Sequence, residues 1–162
     1  SWGSAGKNIV AGVDTTQRSV TSTVNLFDPT TLISKGANSY YVIHANIIMG
    51  TAEAGGMDDF NYEFDIQYST DGGSNWSTGA GNAYYTDVPA VGRDTNHGRT
   101  YDTFSRFANG RFQLTGTSAG TTLKFRVQSG YAQISSGRTL FYNRSNSNIS
   151  NRQFSSIIVY EE

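Results

Sequence analysis

The chain has 162 residues, no Cys, 10 Tyr, 9 Phe, only 15% charged residues and a net charge of −1. The lack of Cys excludes disulfides, thiolate nucleophiles and Cys-ligated metals, no apolar run nears the ~20 residues of a membrane span, and the near-neutral balance speaks against nucleic acid as a partner. A chain of this length can bury roughly two thirds of its unfolded surface in one domain, and aromatic residues set among Gly, Ser, Thr and Asn favour strands joined by polar turns over helices.

The opening, SWGSAGKN, has neither Met nor the apolar core of a signal peptide, so a trimmed or excised end is expected. Residues 1–17 carry one apolar cluster, Ile9 to Val13, read as an edge strand or an arm packed on a neighbour. Val20, Val24 and Leu26 alternate with Thr21, Thr23 and Asn25, a strand that Asp28-Pro29 stops. Ser39 to Met49 is apolar on both faces. One face carries Tyr41, Ile43, Ala45, Ile47 and Met49; the other carries Tyr40, Val42 and Ile48 with His44 and Asn46. A strand of that kind must be covered on both sides, once by the opposite sheet and once by a long loop or another subunit. Gly50 to Asp59 is small and acidic, the composition of an exposed loop.

The loudest local signal lies from Phe60 to Trp76. Phe60, Tyr62, Phe64, Ile66 and Tyr68 alternate with polar and acidic residues, and Asp71-Gly72-Gly73 supplies the positive φ of a tight hairpin turn. Ser69, Asp71, Gly73 and Trp76 also fit S-x-D-x-G-x-x-W, the Asp-box pattern of sialidase-like propellers. A propeller needs repeated copies and one is present, so the match is read as turn chemistry, with the Asp carboxylate bonding turn amides and the Trp packing over them.

Ser77 to Gly98 reads as a long loop around Ala83-Tyr84-Tyr85. Thr100 to Leu114 holds Tyr101, Phe104, Phe107, Phe112 and Leu114, either two short strands turning at Asn109-Gly110 or one bulged strand. Leu123, Phe125 and Val127 alternate with Lys124, Arg126 and Gln128 in a further strand. Arg138 to Tyr142 is a short strand, Asn143 to Asn151 a polar loop, and Gln153 to Glu161 a closing strand again apolar on both faces. Such a strand belongs in the middle of a sheet, since an exposed edge would invite aggregation. The count, about eight to ten strands without a helix, predicts an all-β antiparallel two-sheet sandwich.

Charge is divided along the chain. No Lys or Arg lies between Gly36 and Gly92, where there are 7 acids; from Arg93 to Arg152 there are 9 basic residues against Asp94 and Asp102. Either strands of the two parts lie beside one another in one sandwich, or the complementarity works between subunits.

Catalytic chemistry finds little footing. Asp58-Asp59 and Glu63/Asp65 are the close carboxylate pairs, and neighbours in sequence or on one strand face do not supply the opposing walls of a glycosidase cleft. His44 sits in an apolar strand. His97, between Arg93 and Arg99, has no identifiable nucleophile or G-x-S-x-G elbow to serve. No catalytic residue, metal site or cofactor is expected. A sugar-binding surface is the remaining chemistry, with aromatic rings stacking on pyranose C–H groups and polar side chains bonding hydroxyls. Its candidates are Trp76, Tyr84, Tyr85, Arg93, Asn96, His97, Arg99 and Tyr101.

The succession SYYVIHANI, then a strand ending in a DGG turn, then FQLTGTSAGTTLKFRVQSG, then FSSIIVYEE resembles the jelly roll of the tumour-necrosis-factor and complement-globular-head type. Variants of that fold occur in fibre and capsid-spike proteins of viruses and bacteriophages. The resemblance spans residues 18–162 and implies jelly-roll topology and a homotrimer whose inner sheets contain Ser39–Met49 and the final strand, with Tyr41, Ile43, Ile47, Ile157 and Val159 as interface candidates. The segment Ser77–Gly98 has no counterpart in that pattern. Two functions of different class follow as expectations. The first is a non-enzymatic virion appendage or capsid protein, sited on the virion or an extracellular surface, that meets other virion proteins and attaches to a host surface glycan. The alternative is a monomeric carbohydrate-binding module of a secreted protein. Neither involves nucleic acid or membrane.

Overall fold

The computed structural model describes residues 8–20, 23–52, 61–80, 103–133, 139–143 and 154–162. They form strands β1 (Asn8–Asp14), β2 (Arg18–Val20), β3 (Val24–Ile33), β4 (Tyr40–Ala52), β5 (Asn61–Ser69), β6 (Ser77–Ala80), β7 (Thr103–Gln113), β8 (Thr122–Gln133), β9 (Thr139–Tyr142) and β10 (Ser155–Glu161). These make two antiparallel sheets packed as a sandwich, with no helix among the described residues.

In the first sheet β4 is the centre. β7 lines one of its edges from Tyr40↔Gln113 to Gly50↔Thr103. The other edge is shared, β10 taking Tyr41 to Asn46 and β9 taking Met49 to Ala52. Further out, β1 pairs with β10 and β2 with β9. Residues 8–14 are therefore an edge strand of the sandwich. The second sheet runs β3-β8-β5-β6.

Where β10 gives way to β9, the ladder on β4 is replaced by side chains. The Ile48 amide donates to Ser155 Oγ at 2.9 Å, and its carbonyl accepts from the Asn143 amide at 2.9 Å. Asn143 has φ 57°, a left-handed conformation that Asn tolerates. Its buried side chain donates to Asp14 Oδ1 and the Thr16 carbonyl, both at 3.0 Å, and accepts from Ser155 Oγ at 2.7 Å. Asp14 in turn accepts from Arg18 at 2.7 and 3.0 Å and from the Phe27 amide at 3.1 Å. Burial pushes the Asp14 carboxyl up, but the bonds from Arg18 and the Phe27 amide outweigh it and hold it below the usual carboxylate range. Both backbone groups of Ile48 stranded by the break thus find partners, as buried backbone requires.

The core follows from alternation. Tyr41, Ile43, Ala45, Ile47 and Met49 of β4 point between the sheets, with Ile157 and Val159 from β10 and Ala108 and Phe112 from β7. They meet Leu26, Leu32, Phe64, Ile66, Leu123, Phe125 and Val127 of the second sheet. Phe125 is the hub, with ring centroids 5.7 Å from Tyr41 and 6.5 Å from Phe112. β6 crosses Phe112 so closely that a Cβ on Gly79 would stand 2.5 Å from the ring, which leaves Gly as the residue that fits. A buried hydrogen bond between Ser129 of β8 and Tyr142 of β9 ties the sheets together.

Three expectations are decided here. Tyr41, Ile43, Ile47, Ile157 and Val159 are at most 1% exposed within the single chain, because they fill the sandwich interior and are spent there. They cannot form the surface that meets another copy. Of the two readings of Thr100 to Leu114, the single strand is the one found: Asn109 and Gly110 both lie inside the unbroken β7, opposite His44 and Ile43, with no turn between them. The acidic β5 does lie beside the basic β8, yet Asp65 faces Gln128 and Arg126 faces Gln67 in register. The ion pairs among the described residues, Arg18–Asp14 and Arg111–Glu162, join other elements.

The end of β10 is anchored by Glu161. Its carboxylate accepts from the Lys35 amide at 2.8 Å, the Gly36 amide at 2.9 Å, Ser39 Oγ at 2.6 Å and Asn8 Nδ2 at 2.7 Å. Burial works against the charge, but the bonds from Ser39, Asn8 and the two amides prevail and bring its pKa down to about 2. A carboxyl lowered on folding contributes stability that is whole above its unfolded value and is lost as pH falls through the folded one. Glu161→Gln will therefore lower the denaturant midpoint at pH 7 and flatten its fall between the ordinary Glu range and about pH 2, with Asp14 and Asp71 supplying the remaining slope. A midpoint curve as steep as the parent's would contradict this. Asn143→Ala strips three side-chain bonds from a buried cluster and is expected to cost roughly 3 kcal/mol in chemical unfolding.

Candidate functional site

The outward face of the first sheet is the described surface with the most unspent apolar area. Because alternate residues point outward, its rows can be read from the register. Ile9 lies beside Tyr160, Val42 and Arg111; Ala11 beside Ile158, His44 and Asn109; Val13 beside Ser156, Asn46 and Phe107. Ile9, Val13, Phe107 and Ile158 are 55%, 65%, 62% and 45% exposed, where an average sandwich face would present Thr, Lys or Glu. Tyr40 and Phe154 extend the patch at either end and are exposed too.

Charge is nearly absent from it. Across the rows of β1, β10, β4 and β7 the charged side chain is Arg111, which donates from Nε to Glu162 Oε2 at 2.7 Å and lies 4.1 Å from the Tyr40 ring centroid. The hydrogen bond to Glu162 raises the Arg111 pKa from its ordinary value. His44 stands near the middle, with Nδ1 3.1 Å from Asn109 Oδ1 and its ring centroid 6.0 Å from that of Tyr160. Nothing in this face is arranged to activate a nucleophile. Among the described residues no group of three His, Cys, Asp or Glu is placed to hold a metal ion.

The outward face of the second sheet is of opposite character. Gln128 donates to Asn25 Oδ1 at 3.1 Å, Gln67 donates to Gln128 Oε1 at 3.2 Å, and Arg126 donates from Nε to Gln67 Oε1 at 2.7 Å. This polar mesh ends on Trp76, whose ring centroid is 4.0 Å from the Arg126 guanidinium carbon. Its indole N–H donates to the Gly73 carbonyl at 3.0 Å.

The Trp76 hairpin is built by Asp71. Its Oδ1 accepts from Ser69 Oγ at 2.7 Å, the Ser74 amide at 3.1 Å and the Asn75 amide at 2.9 Å, while Oδ2 accepts from Asn75 Nδ2 at 2.6 Å. The bonds from the Asn75 amide and side chain, then from Ser69, hold the Asp71 carboxyl well below the usual carboxylate range. Gly73 has φ 94°, which only Gly adopts at no cost. The Asp-box residues thus serve the turn, and Trp76 gives one ring face to Arg126. Of the sugar-binding candidates, Trp76 is placed on this hairpin; Tyr84, Tyr85, Arg93, Asn96, His97, Arg99 and Tyr101 lie outside the described residues.

The interface candidates chosen from sequence point into the sandwich, and the other alternate set of the same strands faces outward. The signal that separates the faces is purity: the Tyr41 to Met49 set has no polar member and takes the interior, while the set interrupted by His44 and Asn46 faces outward. Phe107, Ile9 and Val13 required the register of β7 and β1, which no local pattern specifies.

Comparisons with known proteins add little to this geometry. No protein-family model matches the chain, and no curated protein matches it in sequence. Among solved structures, a chain from the structure of infectious bursal disease virus, Gt strain, aligns over 98% of this chain with 13% identity and a TM-score of 0.42. This chain spans 37% of that one, and a likeness so distant carries no property across.

Proposed function

We propose that this chain is a non-enzymatic structural module of a virion appendage or capsid, which assembles with copies of itself as a trimer through the outward face of the first sheet. The observation that carries the reading is the neutral apolar surface of Ile9, Val13, Phe107 and Ile158. Burying such side chains is worth about 25 cal/mol per Å² of apolar area; Ile9, Val13 and Ile158 stand on neighbouring strands, and Phe107 shares their face beyond Ser156 and Asn46. A second copy is the occupant that suits it. Symmetric assembly brings identical groups together, and a face whose cation already holds its own Glu162 can meet itself without repulsion.

The trimeric state and the virion setting rest on the strand order. The orders β1-β10-β4-β7 and β3-β8-β5-β6, with β2 and β9 taken as additions, support reading the sandwich as a jelly roll of the tumour-necrosis-factor type. That supports the resemblance carried by the turn before Thr121 and by the closing strand. In this reading the polar outer face of the second sheet is left for other virion proteins or a host glycan.

Light scattering tests it. The parent chain is expected at three chain masses, and Ile158→Arg or Phe107→Arg at one, with unchanged far-ultraviolet circular dichroism because both positions are solvent-facing in the single chain. A parent chain that stays monomeric at high micromolar concentration would overturn the assembly and favour the monomeric carbohydrate-binding module.

A further inference from the structure

We infer that His44 makes this self-assembly acid-sensitive, so that protonating its imidazole releases the copies from one another; the inference rests on the assembly proposed above. His44 is exposed in the single chain, at the level where Ala11, Ile158 and Asn109 stand beside it on β1, β10 and β7. Covering this face therefore moves the ring from water into a largely apolar contact.

Among the described residues no carboxylate is paired with the ring, and its polar partner is a neutral amide. From β10 it meets Ile158 and the Tyr160 ring, and Ser156 lies one row away. From β7 it meets Asn109, whose Oδ1 accepts from Nδ1. Arg111, one row along β7, is the charged side chain of that strand facing the same way. On its own strand the flanking outward residues are Val42 and Asn46. The carboxylate on this side, Glu162, is engaged by Arg111 at 2.7 Å. An imidazolium there would have a cation as its charged neighbour and, in a symmetric assembly, further imidazoliums. Either form keeps the bond to Asn109, but on burial the neutral ring loses only water whereas the imidazolium loses the hydration of a charge.

Burying a group that resists its charged form makes the assembly bind fewer protons than the separated chains, so association is whole above the imidazole range and weakens as pH falls through it. With one such ring per copy, a trimer releases on uptake of up to three protons. Its association constant then falls by as much as ~1000-fold per pH unit where each separated chain binds a proton that the assembly does not. The stability that Glu161 contributes is whole over the imidazole range, since its loss begins only at the ordinary Glu range and runs down to about pH 2.

The experiment is sedimentation equilibrium of the parent chain, His44→Gln and His44→Phe at pH 8 and pH 5.5, with circular dichroism recorded on the same samples. The expected result is a parent that is assembled at pH 8 and monomeric at pH 5.5 with an unchanged spectrum, while both variants stay assembled at both values. A parent equally assembled at both pH values overturns the switch and leaves the assembly standing. Pronounced acid dissociation in both variants assigns the effect to another group, His97 being the other histidine of the sequence, and overturns the role of His44. A parent monomeric at pH 8 removes the assembly and the switch together.

Discussion

The handover at Ile48 is the constraint on which the first sheet depends. A strand of 13 residues needs its outer edge satisfied along its length, and neither β9 nor β10 is long enough to do it alone. The sequence meets the shortfall with short polar side chains, Ser155 and Asn143, that imitate the missing ladder bonds. Asp14 closes the arrangement from the next row. Because Asp14 also takes the Phe27 amide, the same cluster ties β3 of the opposite sheet to the break. The packing of the two sheets and the continuity of one of them therefore share a single set of bonds.

With that frame fixed, the division of the two faces of β4 follows. One alternate set is spent on the core, so only the other can address a partner. The first sheet then presents a neutral apolar surface and the second an amide and guanidinium mesh running from Asn25 to Trp76. Two exteriors of such different character give the molecule a polarity: one side suited to exclude water, the other to keep it.

Much of this was legible before any coordinates. The β5–β6 hairpin announced itself through strict alternation and the Asp71-Gly72-Gly73 turn, and Ser69, Asp71 and Trp76 play the turn roles their types suggest. β10 could be placed inside a sheet because both its faces are apolar, and it lies between β1 and β4. What failed to show was whatever depends on distant pairing. Asn109-Gly110 has the composition of a turn, and its place opposite His44 and Ile43 overrides that preference. Asn143 and Asp14 are 129 residues apart, and Glu161 meets the amides of Lys35 and Gly36 across a similar distance. No local periodicity encodes bonds of that span.

The split edge of β4 also bears on how such a molecule can change over evolutionary time. β9, which ends at Tyr142, and β10, which begins at Ser155, are each fixed in register by β4 and not by one another. A substitution that loosens one of them leaves the other's ladder in place, so half of that edge can change without the whole being lost.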